Sequence, residues 1–116
     1  MRIETFAQGG VFAPALIARA LRTTQDEVAQ TVGLGRDALA RAERLQSPKT
    51  QKRLREMVEI LNRVEPRFGS ALLAYAWYRS QPLAGFAGLT AMHLVREGRA
   101  AEVMDYVDAV DAGVHA

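Results

Sequence analysis

Apolar residues recur along this chain at spacings of three and four, and no stretch alternates apolar with polar residues over a strand's length. Ile and Thr are sparse, whereas Ala, Leu and Arg are abundant. The pattern predicts an all-α fold, an N-terminal helix-turn-helix bundle followed by a small C-terminal helical subdomain. Residues 1–12, with the pair Gly9-Gly10, read as loose. A helix follows Pro14, with Leu16, Ile17, Ala20 and Leu21 on one face. The next begins at Thr24, where Thr24 and Glu27 have the spacing of a reciprocal capping box. Val28, Ala29 and Val32 face inward. Gly33 supplies a turn, Leu34 plugs the corner, and Gly35 caps a third helix running from Arg36 to about Gln46. Ser47-Pro48 starts a fourth helix, with Leu54, Met57, Val58, Leu61 and Val64 as its apolar stripe. Glu65-Pro66 is expected to end or kink it. Beyond Gly69, helices are predicted over 70–80, 90–97 and 99–112, with a loop over 81–89. Gly98 and Gly113 are read as helix stops.

The stretch from Thr24 to Leu45 has the spacing of a helix-turn-helix, whose second helix can enter a DNA major groove. Ala29 lies four residues before Gly33 and allows the helices to approach closely. Leu39 and Ala42 point back toward Val28 and Val32. The outer face of the third helix then carries Arg36, Asp37, Ala40, Arg41 and Arg44. Arg41 and Arg44 share a face, and an arginine there can donate two hydrogen bonds to guanine. Arg36 and the amides near Gln25 are candidates for phosphate contacts. Lys49, with Lys52, Arg53 and Arg55, extends a basic run along the backbone path. The DNA-binding candidates are therefore Gln25, Arg36, Asp37, Arg41, Arg44 and Lys49. Plain helix packing produces the same spacing, and Asp37 and Glu43 temper the charge.

Composition sharpens the division. Residues 1–68 carry 12 Lys/Arg and 8 Asp/Glu, and residues 69–116 carry 3 and 5. A net of +4 against −2 suits two different partners, a polyanion and something else. The sequence divides accordingly into 1–68 and 69–116. An apolar fraction of 49% suffices for a core. There is no cysteine, no apolar run long enough for a membrane span, and no leader pattern at the N-terminus, so a cytoplasmic location is expected.

The chemical inventory is thin. His93 and His115 are the two histidines; they are far apart and form no metal-binding pair. No glycine-rich phosphate loop occurs, so neither enzyme activity nor a cofactor or metal is expected. His93 reads as a half-buried helix residue. Asp105, Asp108 and Asp111 read as a solvated acidic strip opposite Val103, Val107 and Val110. Among the aromatic residues, Trp77 is expected to anchor the C-terminal core, with Tyr78 and Arg79 exposed and available to a partner.

The segment Trp77 to Gly113 resembles the toxin-binding domain of Xre/MbcA/ParS-type antitoxins. The shared elements are an aromatic pair ending a helix, a loop containing Pro and Gly, a Thr-Ala-x-x-Leu-Val helix before a glycine, and a last helix with valines at 103, 107 and 110. Members of that family carry an Xre-type helix-turn-helix ahead of this domain, so the resemblance spans most of residues 14–116. Ala91 departs from it, since many members have proline there. The resemblance implies a protein toxin with a RES domain that degrades NAD, neutralised by obstruction of its active-site entrance. It also implies repression of the chain's own operon through operator DNA. Carried over, it points to Gly113, Val114, His115 and Ala116 beside the toxin cleft, with Gly113 turning the chain off the helix. A homodimer matching a two-fold operator is expected. A free-standing helix-turn-helix regulator whose C-terminal part only dimerises is the alternative.

Overall fold

In the computed structural model, residues 7–8, 10–35 and 42–115 are described, with the backbone alone for Gln8, Ala42, Glu43, Val114 and His115. Two two-residue strands, β1 (Ala7–Gln8) and β2 (Val11–Phe12), pair antiparallel. They precede α1 (Pro14–Ala20), α2 (Gln25–Thr31), α3 (Ala42–Leu45), α4 (Pro48–Phe68), α5 (Ala71–Ser80), α6 (Ala91–Arg96) and α7 (Ala100–His115). The fold is all-α, and the small ribbon is an addition to it. Part of the segment expected to be loose is therefore built in. Phe12 is buried, and Gln51 on α4 treats its backbone as a neighbouring strand would. The Gln51 side chain accepts from the Phe12 N–H at 2.7 Å and donates to the Phe12 carbonyl at 3.1 Å. It also donates to the Leu45 carbonyl at 2.9 Å, tying the end of α3 to α4.

The helix starts follow their caps. The hydroxyls of Thr24, Ser47, Ser70 and Thr90 accept from the backbone N–H three residues on, and Pro48 occupies the first turn of α4. The reciprocal box expected at Thr24 is only half made, because the Glu27 carboxylate turns elsewhere. A complete box forms at Thr90, whose N–H donates to the His93 ring Nδ1 at 3.5 Å; that nitrogen also lies 2.8 Å from the Thr90 hydroxyl. His93 is accordingly exposed at the start of α6, not half-buried.

Two expected helix ends are displaced. Pro66 lies inside α4, which continues to Phe68 and closes on Gly69 at φ 78°. One missing N–H is tolerable in a last turn that is held from outside. Arg67 donates to the Val107 carbonyl and to Asp111, and Phe68 packs on Trp77 at a ring separation of 6.3 Å. Likewise α7 passes through Gly113 to His115, so that glycine neither stops the helix nor turns the chain.

α4 is the central beam. Leu54, Met57, Val58, Ile60, Leu61 and Val64 are buried along it, against α5 and α7 on the C-terminal side and β2 and α3 on the N-terminal side. α2 packs on α6, and one continuous cluster of buried residues runs from Phe12 to Val107. In α1, Ala18 is buried and Ala20 exposed, reversing the expected face at that position.

Candidate functional site

The N-terminal candidates are distributed as follows. Gln25 is exposed at the first position of α2, Arg44 is exposed on α3, and Lys49 is exposed in the first turn of α4. Arg36, Asp37 and Arg41 lie outside the described residues, as does Leu39. The first turn of α2 holds its own anions, Asp26 and Glu27, which already complement the positive helix end near Gln25. Lys52 and Arg55 are exposed on α4, Arg55 standing 6.0 Å from the Phe12 ring. Together with Gln51, Glu56 and Glu59 they line an open concavity of about 580 Å³ whose charge is mixed.

Arg53, expected in the basic run, points inward instead. Its guanidinium donates to the Val32 carbonyl at 3.2 Å and to the Val95 carbonyl. Those carbonyls belong to the C-terminal ends of α2 and α6, so one cation answers two helix ends of negative partial charge. Beside it, Gly33 at φ 77° lets the turn after α2 lie against the Arg96 backbone.

The aromatic residues of α5 correct the sequence reading. Tyr78, expected at the surface, is wholly buried, and its hydroxyl donates to the Thr31 carbonyl at 2.7 Å. Trp77, expected as the anchor, is half-buried against Phe68. Arg79 is exposed but engaged. It lies 3.6 Å from Glu27 and 4.2 Å from the Tyr75 ring centroid, a cation over an aromatic face. Glu27 also accepts from the Tyr75 hydroxyl at 3.0 Å and from Thr23. Glu27, Tyr75 and Arg53 were missed as joining residues, since their partners lie 21 to 48 residues away.

Burial, the Glu27 charge and the Glu27 hydrogen bond push the Tyr75 hydroxyl up to about 12, against the opposing pull of Arg79. Burial foremost pushes Tyr78 well above the ordinary value of 10.0. Both shifts favour the neutral form in the folded chain. Below pH 10 neither state gives up these protons and the two groups leave stability unchanged. Above it the unfolded chain releases them while the folded chain retains them, so stability should decline as pH rises from 10 toward 12. Denaturant titrations across that window should show the decline, and Tyr75→Phe should make it shallower.

On α7 the acidic strip is largely spoken for. Asp108 pairs with Arg63 and Asp111 with Arg67, leaving Asp105 exposed and without an ion pair among the described residues. These exposed bridges are worth about 0–1 kcal/mol each. Val114 and His115 are the last two residues of α7, and Ala116 lies outside the described residues. No group of three or more metal-ligating side chains occurs among the described residues, nor is any described helix long and apolar enough to cross a membrane.

What the described residues define is a helical binding scaffold: capped helices, a single core, and outward faces that differ in charge. Residues 54–113, just over half of the chain, match the family model described as the antitoxin Xre/MbcA/ParS C-terminal toxin-binding domain, and the chain belongs to that antitoxin family. A toxin partner and a place in a toxin–antitoxin system follow from that membership. The match begins inside α4, so the central beam is shared between the matched domain and the N-terminal helices. Neither the curated proteins nor the solved structures contain a match to this chain.

Proposed function

We propose that this chain is a non-enzymatic antitoxin that binds and neutralises a RES-type, NAD-degrading toxin and represses its own operon by binding operator DNA. The observation that carries the reading is the family match over 54–113. In this reading residues 1–68 face DNA and residues 69–116 face the toxin. NAD is the toxin's substrate and no cofactor of this chain. Gln25, Arg36, Asp37, Arg41, Arg44 and Lys49 are the proposed DNA contacts, and the last residues, Gly113 to Ala116, are proposed to lie at the toxin cleft. Support for the DNA half comes from the turn at Gly33 between α2 and the following segment, and from the exposed cations of α3 and α4. A cytoplasmic homodimer is the form in which such a chain meets a two-fold operator.

The test is co-expression with the protein encoded beside this chain in its genome. That protein alone should arrest growth, and this chain should restore it. Failure to restore growth overturns the antitoxin reading. Specific retardation of the operon's upstream DNA, weakened by Arg41→Ala/Arg44→Ala, is expected for the DNA half. Retardation indifferent to both the DNA sequence and the arginines would reject base reading.

A further inference from the structure

We propose that the toxin docks on the charge-free outer face of α5 and on the loop that follows it, residues 81–89. This rests on the toxin-binding reading above and locates it on one surface. Between Arg67 and Arg96 the only Lys, Arg, Asp or Glu is Arg79, in a chain that is 24% charged. Arg79 is already held by Glu27 and the Tyr75 ring. The neighbouring helices α4 and α7 are instead dressed with ion pairs. Leu73 is 56% exposed, the one large hydrophobic side chain so exposed among the described residues. Trp77 and Ser80 follow it at helical spacing, so the row runs along one side of α5 to the loop. There Pro82, Ala84 and Ala87 are exposed, small and uncharged.

The loop is held in shape. Its ends close through the Leu83 N–H on the Leu89 carbonyl at 2.9 Å and the bridge between Pro82 and Thr90. Phe86 meets the Tyr106 ring edge to face at 6.0 Å, and Ala87 is kept at φ 55°. A fixed apolar surface loses little conformational freedom on binding. Loss of charge with retention of aromatic groups is also what distinguishes the buried centre of a protein interface. The occupant is the toxin, because the toxin-binding match contains this whole surface. The toxin face it fits is likewise apolar and poor in charge.

Leu73→Glu tests the proposal without endangering the fold. Leu73 stands three residues after Ser70, whose hydroxyl accepts its N–H at 3.1 Å. Glutamate there completes a capping box and favours the positive helix end. Ala84→Glu places a second charge on the loop. The full chain is titrated by calorimetry with the purified protein encoded beside it. Wild type should bind with a negative heat-capacity change and little dependence on salt. Each variant should bind about 100-fold more weakly, with unchanged Tm and unchanged molar mass in light scattering, since burying a charge in an apolar interface is strongly unfavourable. Undiminished binding by both variants overturns the proposal. So does conversion of a dimer to a monomer with toxin affinity intact, which assigns the surface to a second copy. A wild-type chain that does not bind sinks the toxin-binding reading itself, and this proposal with it.

Discussion

Replacing Tyr78 by alanine should destabilise the protein by about 3–5 kcal/mol, the loss typical of deleting a buried aromatic side chain. For a domain of this size that corresponds to a fall in Tm of roughly 10–20 °C. Tyr78 is fully buried where α2 and α5 meet, and its hydroxyl donates to the Thr31 carbonyl near the end of α2. The alanine variant therefore opens a cavity and releases that carbonyl in one step. Tyr78→Phe separates the two effects. It keeps the ring and should cost only about 1–3 kcal/mol, the penalty of a buried acceptor left without its donor. Calorimetric melts of both variants check the pair. Equal stability of wild type and Tyr78→Ala would refute the placement of this side chain in the core.

Among the described glycines, Gly33→Ala should be the most damaging change of its size, at about 2–5 kcal/mol. Two costs combine there. An L-residue in the left-handed region costs roughly 1–2 kcal/mol, and the added carbon would meet the Arg96 Cα at 3.0 Å and its carbonyl oxygen at 3.1 Å. Backbone on both sides cannot yield as a flexible side chain can, so overpacking adds about 1–3 kcal/mol. Gly69→Ala is the control. It has the same left-handed backbone, φ 78°, with nothing within 4 Å of the added carbon. It should cost only the conformational part, about 1–2 kcal/mol. Denaturation midpoints that place the two variants together would show that the close approach of the Gly33 turn to α6 is absent in solution.

Local chemistry made much of the fold legible in advance. A hydroxyl followed by an unsatisfied turn of N–H groups is a short-range arrangement, so the starts of α2, α4 and α6 could be read from Thr24, Ser47-Pro48 and Thr90. Most of the stripe of α4 was legible for the same reason, since Leu54, Met57, Val58, Leu61 and Val64 recur at helical spacing among polar residues, though Ile60 is buried beside them. α5 offered no such contrast. Its sequence ALLAYAWY is apolar on every side. Choosing between Trp77 and Tyr78 required knowing that α2 lies over one face and supplies a carbonyl there. Pro66, read as an end or a kink, and Gly113, read as a stop, leave their helices uninterrupted for a related reason. Each weakens a helix locally by an amount that contacts from other helices can offset, as Arg67 and Phe68 do for the end of α4.

Of the interaction surfaces, the sequence carried the type of partner and little of the position. The Thr-Ala-x-x-Leu-Val segment and the valines of the last helix suggested an antitoxin domain, and the match over 54–113 places the chain in that family. Which polar residues remain outside was not readable. Arg53 stands in a basic run yet serves two helix ends, and Asp108 and Asp111 stand in an acidic strip yet answer Arg63 and Arg67.

The sequence by itself thus determined the helical class, most helix starts, the stripe of α4 and the family, because caps, periodicity and motif act over a few residues. The tertiary structure alone decided that Tyr78 is inside, that Arg53 joins α2 to α6, and that Leu73 is left in water. Those outcomes depend on which helix faces which, and a side chain's neighbours across the core are set by packing between segments up to 48 residues apart.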